Sequence, residues 1–261
     1  GGYSHGFLLE WNPHRPFLKT HKDRESNPRF LRDSHPTIDR PHRLLASSDD
    51  GTIVLAGTPG YGYTGGGLLF WNPISKTSVL LQHGQLIKDQ SVASMVFLDD
   101  QVLLCGTTIA GGTGGEIKSN DAELFILEKK DKRILWRQAV LPSVACYLDL
   151  IKDDSGLVYG VTNQRELFVF DPEIKQIILK RMLDASLGPL SGGQSARIFI
   201  KGNDGKIFLL FSNCIASLNS QDLSVRRIAD TPAPISSGGD YLDGRIYFIS
   251  GSHLYSWLIS D

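Results

Sequence analysis

An all-β chain built from repeated four-stranded antiparallel units is what this sequence predicts, on three observations. Apolar and polar residues alternate with period two in short runs, and no window of about 12 residues holds an apolar stripe of helical period. Tight-turn pairs recur at Asp50-Gly51, Asp99-Asp100, Ser155-Gly156, Asp204-Gly205 and Asp243-Gly244, each between two apolar runs. They are spaced by about 40 to 55 residues, the period of a four-stranded propeller blade.

Placed on those turns, the first unit reads RLLAS, DDG, TIVLAGT, a glycine-rich connection, GLLFWNP and TSVLLQ, which gives four strands in order. The second reads VASMVFL, DD, QVLLCGT, a long glycine-rich loop, AELFILE, KKDK and RILWRQ. The third reads CYLDLIK, DDSG, LVYGVT, NQR, ELFVFDP and QIILKR, and the fourth ARIFIK, GNDG, KIFLLF, SN, CIASLN and LSVRRIA. The fifth, GGDYL, DG, RIYFIS, GSH and LYSWLI, stops after three strands. The proline of GLLFWNP has a fixed φ and no amide hydrogen, so Asn72-Pro73 begins the turn to the outer strand.

FLLEWNP near the N-terminus copies GLLFWNP, so residues 1–20 read as the third and fourth strands of a further blade, FLLEWNP and RPFLKT. Either these strands complete the fifth unit, which would set Phe7 to Trp11 beside Leu254 to Leu258, or residues preceding Gly1 belong to a larger native chain. Residues 21–41, HKDRESNPRFLRDSHPTIDRP, carry three prolines and no alternation and read as an irregular charged loop; the blades occupy 42–258 of a single domain.

A chain of 261 residues suffices for a substantial core. Its formal net charge of −1 and dispersed basic residues argue against nucleic acid or an anionic membrane as partner. No apolar run approaches the roughly 20 residues of a membrane span, and the N-terminus lacks a signal-like apolar core, so a soluble chain is expected. Cys105, Cys146 and Cys214 show no metal or redox spacing and read as small side chains in strands.

The strand–DG–strand units and the outer turns FWNP and FVFDP resemble the β-propeller superfamily of quinoprotein-like, YVTN-like and WD40-like repeats, over most of residues 42–258. The units lack the Gly-His and Trp-Asp pairs of typical WD40 blades and the full tryptophan-docking pattern of quinoproteins. A looser resemblance to propeller-type polysaccharide lyases lies in GYGYTGGG, DRPHR and SGGQSARI.

In such folds the loops entering each innermost strand, and those joining the second strand to the third, gather at one face; here they carry Arg, His, Tyr and Gln. Arg can fork a carboxylate and aromatic rings can stack on a pyranose, which suits an acidic, uronate-containing glycan. β-Elimination would need a neutralised carboxylate, an abstracted C5 proton and a protonated leaving oxygen. His42, Tyr63 and Arg197 are the catalytic candidates; Arg40, Arg43, Tyr61, Gln90, Thr107, Tyr147 and Gln194 are the ligand-binding ones. Neither cofactor nor protein-ligated metal is expected, although carbonyls and Asp side chains can hold a divalent cation in a channel with little sequence trace. The competing reading is a non-catalytic module for protein interaction or ligand sensing, and a carbohydrate-active chain would favour an extracellular or periplasmic location.

Overall fold

The computed structural model describes residues 5–18, 26–192 and 196–259. The fold is all-β and of the β-propeller class. At the N-terminal end β1 (Leu8–Glu10) pairs antiparallel with β2 (Arg29–Arg32). The first blade follows as β3 (Arg40–Ala46), β4 (Ile53–Thr58), β5 (Gly67–Asn72) and β6 (Thr77–Gln82), hydrogen-bonded in that order. The second holds β7 (Ser91–Asp99), β8 (Val102–Thr108), β9 (Leu124–Glu128) and β10 (Ile134–Gln138). The third holds β11 (Tyr147–Lys152), β12 (Val158–Thr162), β13 (Glu166–Asp171) and β14 (Gln176–Met182). In the fourth are β15 (Phe199–Lys201), β16 (Ile207–Leu210), β17 (Cys214–Leu218) and β18 (Val225–Asp230). The fifth comprises three strands, β19 (Ser237–Leu242), β20 (Arg245–Ser250) and β21 (His253–Leu258). Two short 3-10 turns, His83–Gln85 and Ala185–Leu187, complete the regular structure of the described residues.

Contacts divide the chain into two compact units, Gly1–Ala93 with Thr107–Asn120, and Ser94–Gly106 with Asp121–Asp261. In the first, Leu8, Ile38, Leu55, Leu69 and Trp71 form one buried cluster that carries the β1–β2 pair against the first blade. In the second, one cluster joins the third blade to the fourth and another joins the fourth to the fifth. The innermost strands β11 and β15, and β15 and β19, are neighbours there.

The burial pattern explains two kinds of strand in the sequence. Central strands such as β4, β5, β12 and β13 are buried on both faces and read as unbroken apolar runs, whereas the outer strand β6 alternates between exposed and covered positions. The Asn-Pro and Asp-Pro motifs build the same turn. Asn72 Oδ1 accepts the N–H groups of Ile74 and Ser75, both at 2.9 Å, and Asp171 Oδ1 accepts those of Glu173 and Ile174 at 2.9 and 3.4 Å.

Of the two readings of the N-terminal strands, completion of the fifth unit is corrected. β1 pairs with β2 in the register Leu8↔Arg32, Leu9↔Phe30 and Glu10↔Arg29, in place of a strand of the fifth blade. Of the segment expected as the outer strand RPFLKT, residues 15–18 form no strand, and Lys19 and Thr20 lie outside the described residues. The buried Asn27 accounts for this: its amide nitrogen donates to the carbonyls of Asn12, Arg15 and Pro16 at 2.8, 2.9 and 3.2 Å, drawing that stretch into a wrapped loop. Residues 21–41, expected to be irregular throughout, contain β2 and the first residues of β3.

Candidate functional site

The stretch Gly60–Gly66 joins β4 to β5 and is clasped to the glycine-rich loop between β8 and β9, within the first unit. Gly62 N–H donates to the Thr113 carbonyl at 2.9 Å, Gly112 N–H to the Tyr63 carbonyl at 3.0 Å, and Thr64 Oγ1 to the Glu116 carbonyl at 2.7 Å. The backbones approach so closely that a Cβ on Gly112 would lie 1.9 Å from the Gly60 carbonyl oxygen. Glycine is therefore required there for contact.

The clasp presents two tyrosines to solvent: Tyr61 is 63% exposed and Tyr63 53%. Arg40, at the start of β3, lies over the Tyr61 ring with its Cζ 5.2 Å from the centroid, and its guanidinium donates to Thr113 Oγ1. Cation, aromatic face and clasp thus form one connected group. Beside it, a cavity of about 170 Å³ is bounded by Tyr63, Thr64, Gly65, Gln82 and His83. His83 Nδ1 accepts the Asp89 N–H at 2.8 Å, so the neutral ring carries its proton on Nε2 and offers a donor there. Gly65, at φ +75°, gives that ring room, for a Cβ on it would meet His83 Cγ at 2.3 Å.

Other sequence candidates sit elsewhere in the same unit. His42 is half-buried and its Nε2 bonds Thr58 Oγ1 at 3.0 Å across β3 and β4. Arg43 is half-buried on β3 opposite Ala56. Gln90 and Thr107 are buried, and the Thr107 hydroxyl donates to the Gln90 side-chain oxygen. In the second unit Tyr147 is fully buried with its ring edge-on to Phe168 at 5.7 Å, and burial pushes its phenol pKa up. Arg197 is half-buried, and its carbonyl accepts from Ser191 Oγ at 3.2 Å. Gln194 lies outside the described residues.

The structure therefore brings together Arg40, Tyr61 and Tyr63, and adds Thr113, Thr64 and His83, which the sequence did not single out. Nothing local marks His83 among seven histidines; its place depends on the close approach to Gly65. Cys105 and Cys214 are buried and Cys146 half-buried, all three as free thiols, and burial raises the pKa of the first two. Among the described residues no group of three or more His, Cys, Asp or Glu could hold a metal ion, and no helix is long and apolar enough to cross a membrane.

The repeated four-stranded meanders make this a β-propeller chain, a fold that hosts unrelated functions. No protein-family model matches the sequence, and no curated protein matches it. Among solved structures it is similar to the extracellular domain of a one-component system from B. thetaiotaomicron, at 12% sequence identity and a TM-score of 0.63. That likeness covers 97% of this chain and 32% of the other, so the chain spans about a third of that structure's length.

Proposed function

We propose that the chain is a ligand-binding propeller module that recognises an acidic, uronate-containing glycan on the Arg40–Tyr61–Tyr63 face. The observation that carries this reading is the pair of exposed tyrosines held on a backbone clasp beneath a stacked arginine. Aromatic rings so held can stack on pyranose rings at little entropic cost, because their loop is already ordered. A planar guanidinium can fork a carboxylate with in-plane hydrogen bonds. The cavity beside Tyr63 adds the Nε2–H of His83 as a donor for a sugar hydroxyl.

Recognition is favoured over turnover as the output. Of the catalytic candidates, Tyr63 belongs to this face, while His42 is engaged with Thr58 on the strands below. The likeness in fold to an extracellular domain of a one-component system supports a recognition role on the extracellular or periplasmic side. A panel of polygalacturonate, alginate and neutral oligosaccharides titrated calorimetrically tests the reading, with absorbance of the unsaturated product followed in parallel. Acidic oligosaccharides should bind and Tyr61→Ala should abolish binding without changing the melting temperature. Equal affinity for neutral glycans would overturn the acidic specificity, and a growing absorbance would make the chain a lyase.

A further inference from the structure

Building on the glycan reading of the tyrosine face, we propose that His35 is its second acid-reading residue. At Tyr63 it meets the carboxylate of one uronate, as Arg40 meets that of the neighbouring sugar at Tyr61, so the ligand is a run of at least two acidic sugars.

His35 lies in the turn between β2 and β3, and a backbone bond fixes that turn against the clasp: the carbonyl of Pro36, the next residue, accepts the N–H of Gly60 at 2.9 Å. A Cβ built on Gly60 would stand 3.2 Å from His35 Cε1 and 3.7 Å from Tyr63 Cδ2. The imidazole and the tyrosine ring therefore flank the same point of the loop. Both reach solvent, the His35 side chain being 42% exposed.

The imidazole is also aimed. Asp39, buried directly before β3, accepts through Oδ1 from His35 Nδ1 at 2.9 Å and from the His5 N–H at 2.8 Å. A carboxylate can only accept, so Nδ1 carries a proton and the tautomer is set. Nε2 is left as the open end of the ring, with no hydrogen bond among the described residues. Neutral, it accepts from a sugar hydroxyl; protonated, it donates a charge-assisted bond to a carboxylate. Two consecutive residues thus equip the two tyrosines, Asp39 by holding His35 beside Tyr63 and Arg40 by lying over Tyr61.

The groups facing the imidazole come from three segments. Its own turn supplies Asp39 and Asp33, whose Oδ1 accepts the His35 N–H at 2.8 Å. The segment before β1 supplies His5, with its ring centroid 4.6 Å away and its Nδ1 3.4 Å from Asp33 Oδ2, and the clasp supplies Tyr63. A charged His35 has carboxylates on its protein side and takes a further one from the ligand. Histidines gain charge between about pH 8 and 5, while uronate carboxyls stay ionised down to about pH 5, so affinity for an acidic glycan should rise as pH falls.

Calorimetric titration with galacturonate, digalacturonate and the fully methyl-esterified dimer tests this. Digalacturonate should bind at least about tenfold more tightly than galacturonate, because two linked contacts reinforce each other. Its affinity should rise about fivefold from about pH 7.5 to about pH 5.5, and that of the neutral ester should not. His35→Gln, whose amide cannot gain a proton, should bind digalacturonate more weakly and lose the rise, whereas His83→Gln should keep it. In the parent, the side-chain nitrogen resonances of His35 should move more with digalacturonate than with the ester, which tests the contact without any substitution. Absence of digalacturonate binding at both pH values overturns the glycan reading and the role of His35 with it. Binding that keeps its rise in His35→Gln, an equal rise for the ester, equal affinity for one sugar and two, or unmoved His35 resonances overturns the role of His35 alone.

Discussion

Asp149 on β11 accepts hydrogen bonds from the backbone N–H groups of Ile198 and Phe199, through Oδ2 at 2.7 and 2.9 Å, and from its own neighbour Leu150 through Oδ1 at 2.9 Å. The side chain is fully buried, and the bond to Phe199 reaches the start of β15, so a carboxylate joins the inner strands of adjacent blades. Removing it leaves buried donors without their acceptor. Asp149→Ala should cost about 3 kcal/mol, since hydrogen bonds to charged groups contribute more than neutral ones and unsatisfied buried donors add a desolvation cost. Chemical denaturation checks this, with Asp149→Asn, which keeps one acceptor oxygen, expected to lose less.

The two halves of GYGYTGGGLLFWNP should fail in different assays. Trp71 is buried in the cluster of the first unit, and Trp71→Ala should destabilise by about 3 to 5 kcal/mol. Tyr63→Phe keeps the exposed ring and removes only the phenolic hydroxyl, so melting should not change while glycan affinity falls. A Tyr63→Phe protein that loses stability and keeps full affinity would return the tyrosine to a packing role.

Gly112→Ala probes the clasp itself. Its Cβ would collide with the Gly60 carbonyl oxygen, so the two loops must separate and the Gly112–Tyr63 bond must lengthen. Hydrogen exchange at Gly62 and Gly112 should accelerate and glycan affinity fall, with little change in global melting because no core residue is involved. Unchanged exchange would show that the loops are ordered by other contacts.

Acid sensitivity should trace to Asp39. Burial alone would raise its carboxyl pKa, but the hydrogen bond from His35 Nδ1 at 2.9 Å, joined by the His5 N–H at 2.8 Å, outweighs burial and holds it below its ordinary value. A carboxyl depressed in the folded state stabilises the fold above its unfolded pKa and ceases to as pH falls through the lower, folded value. Melting temperature should therefore decline as pH drops below about 4. In His35→Ala the folded pKa moves up toward the unfolded one, so Asp39's share of that decline should shrink; a melting profile identical to that of the parent would exclude Asp39 as the cause.

The blades were legible because their central strands are apolar on both faces and their turns use residues with few alternatives, Asp-Gly at β3–β4 and Asn-Pro after β5. β2 was not, because RFLR is short, half charged and set among prolines, and its pairing with β1 depends on contacts with Ile38, Leu55 and Trp71 that are distant in sequence. The tyrosine face was legible from glycines alternating with Tyr61 and Tyr63. The inward turn of Gln90 and Thr107 was not: a polar side chain in a loop reads as solvent-facing until its buried partner is known. Tyr147 shows the same difficulty, since only the neighbouring Phe168 ring distinguishes a core tyrosine from a ligand-facing one.

The backbone clasp between Gly60–Gly66 and the loop carrying Gly112 ties the lengths of two connections that lie about 50 residues apart. One residue added to either would put its donors out of step with the other's acceptors. In a chain of repeated blades, these two form a linked pair: they can be transplanted or lengthened together, but not one at a time. Anyone recombining such repeats to make a new binder should therefore treat the first and second as one cassette, and place insertions in outer turns such as Pro73–Ser75, whose hydrogen bonds close within their own hairpin.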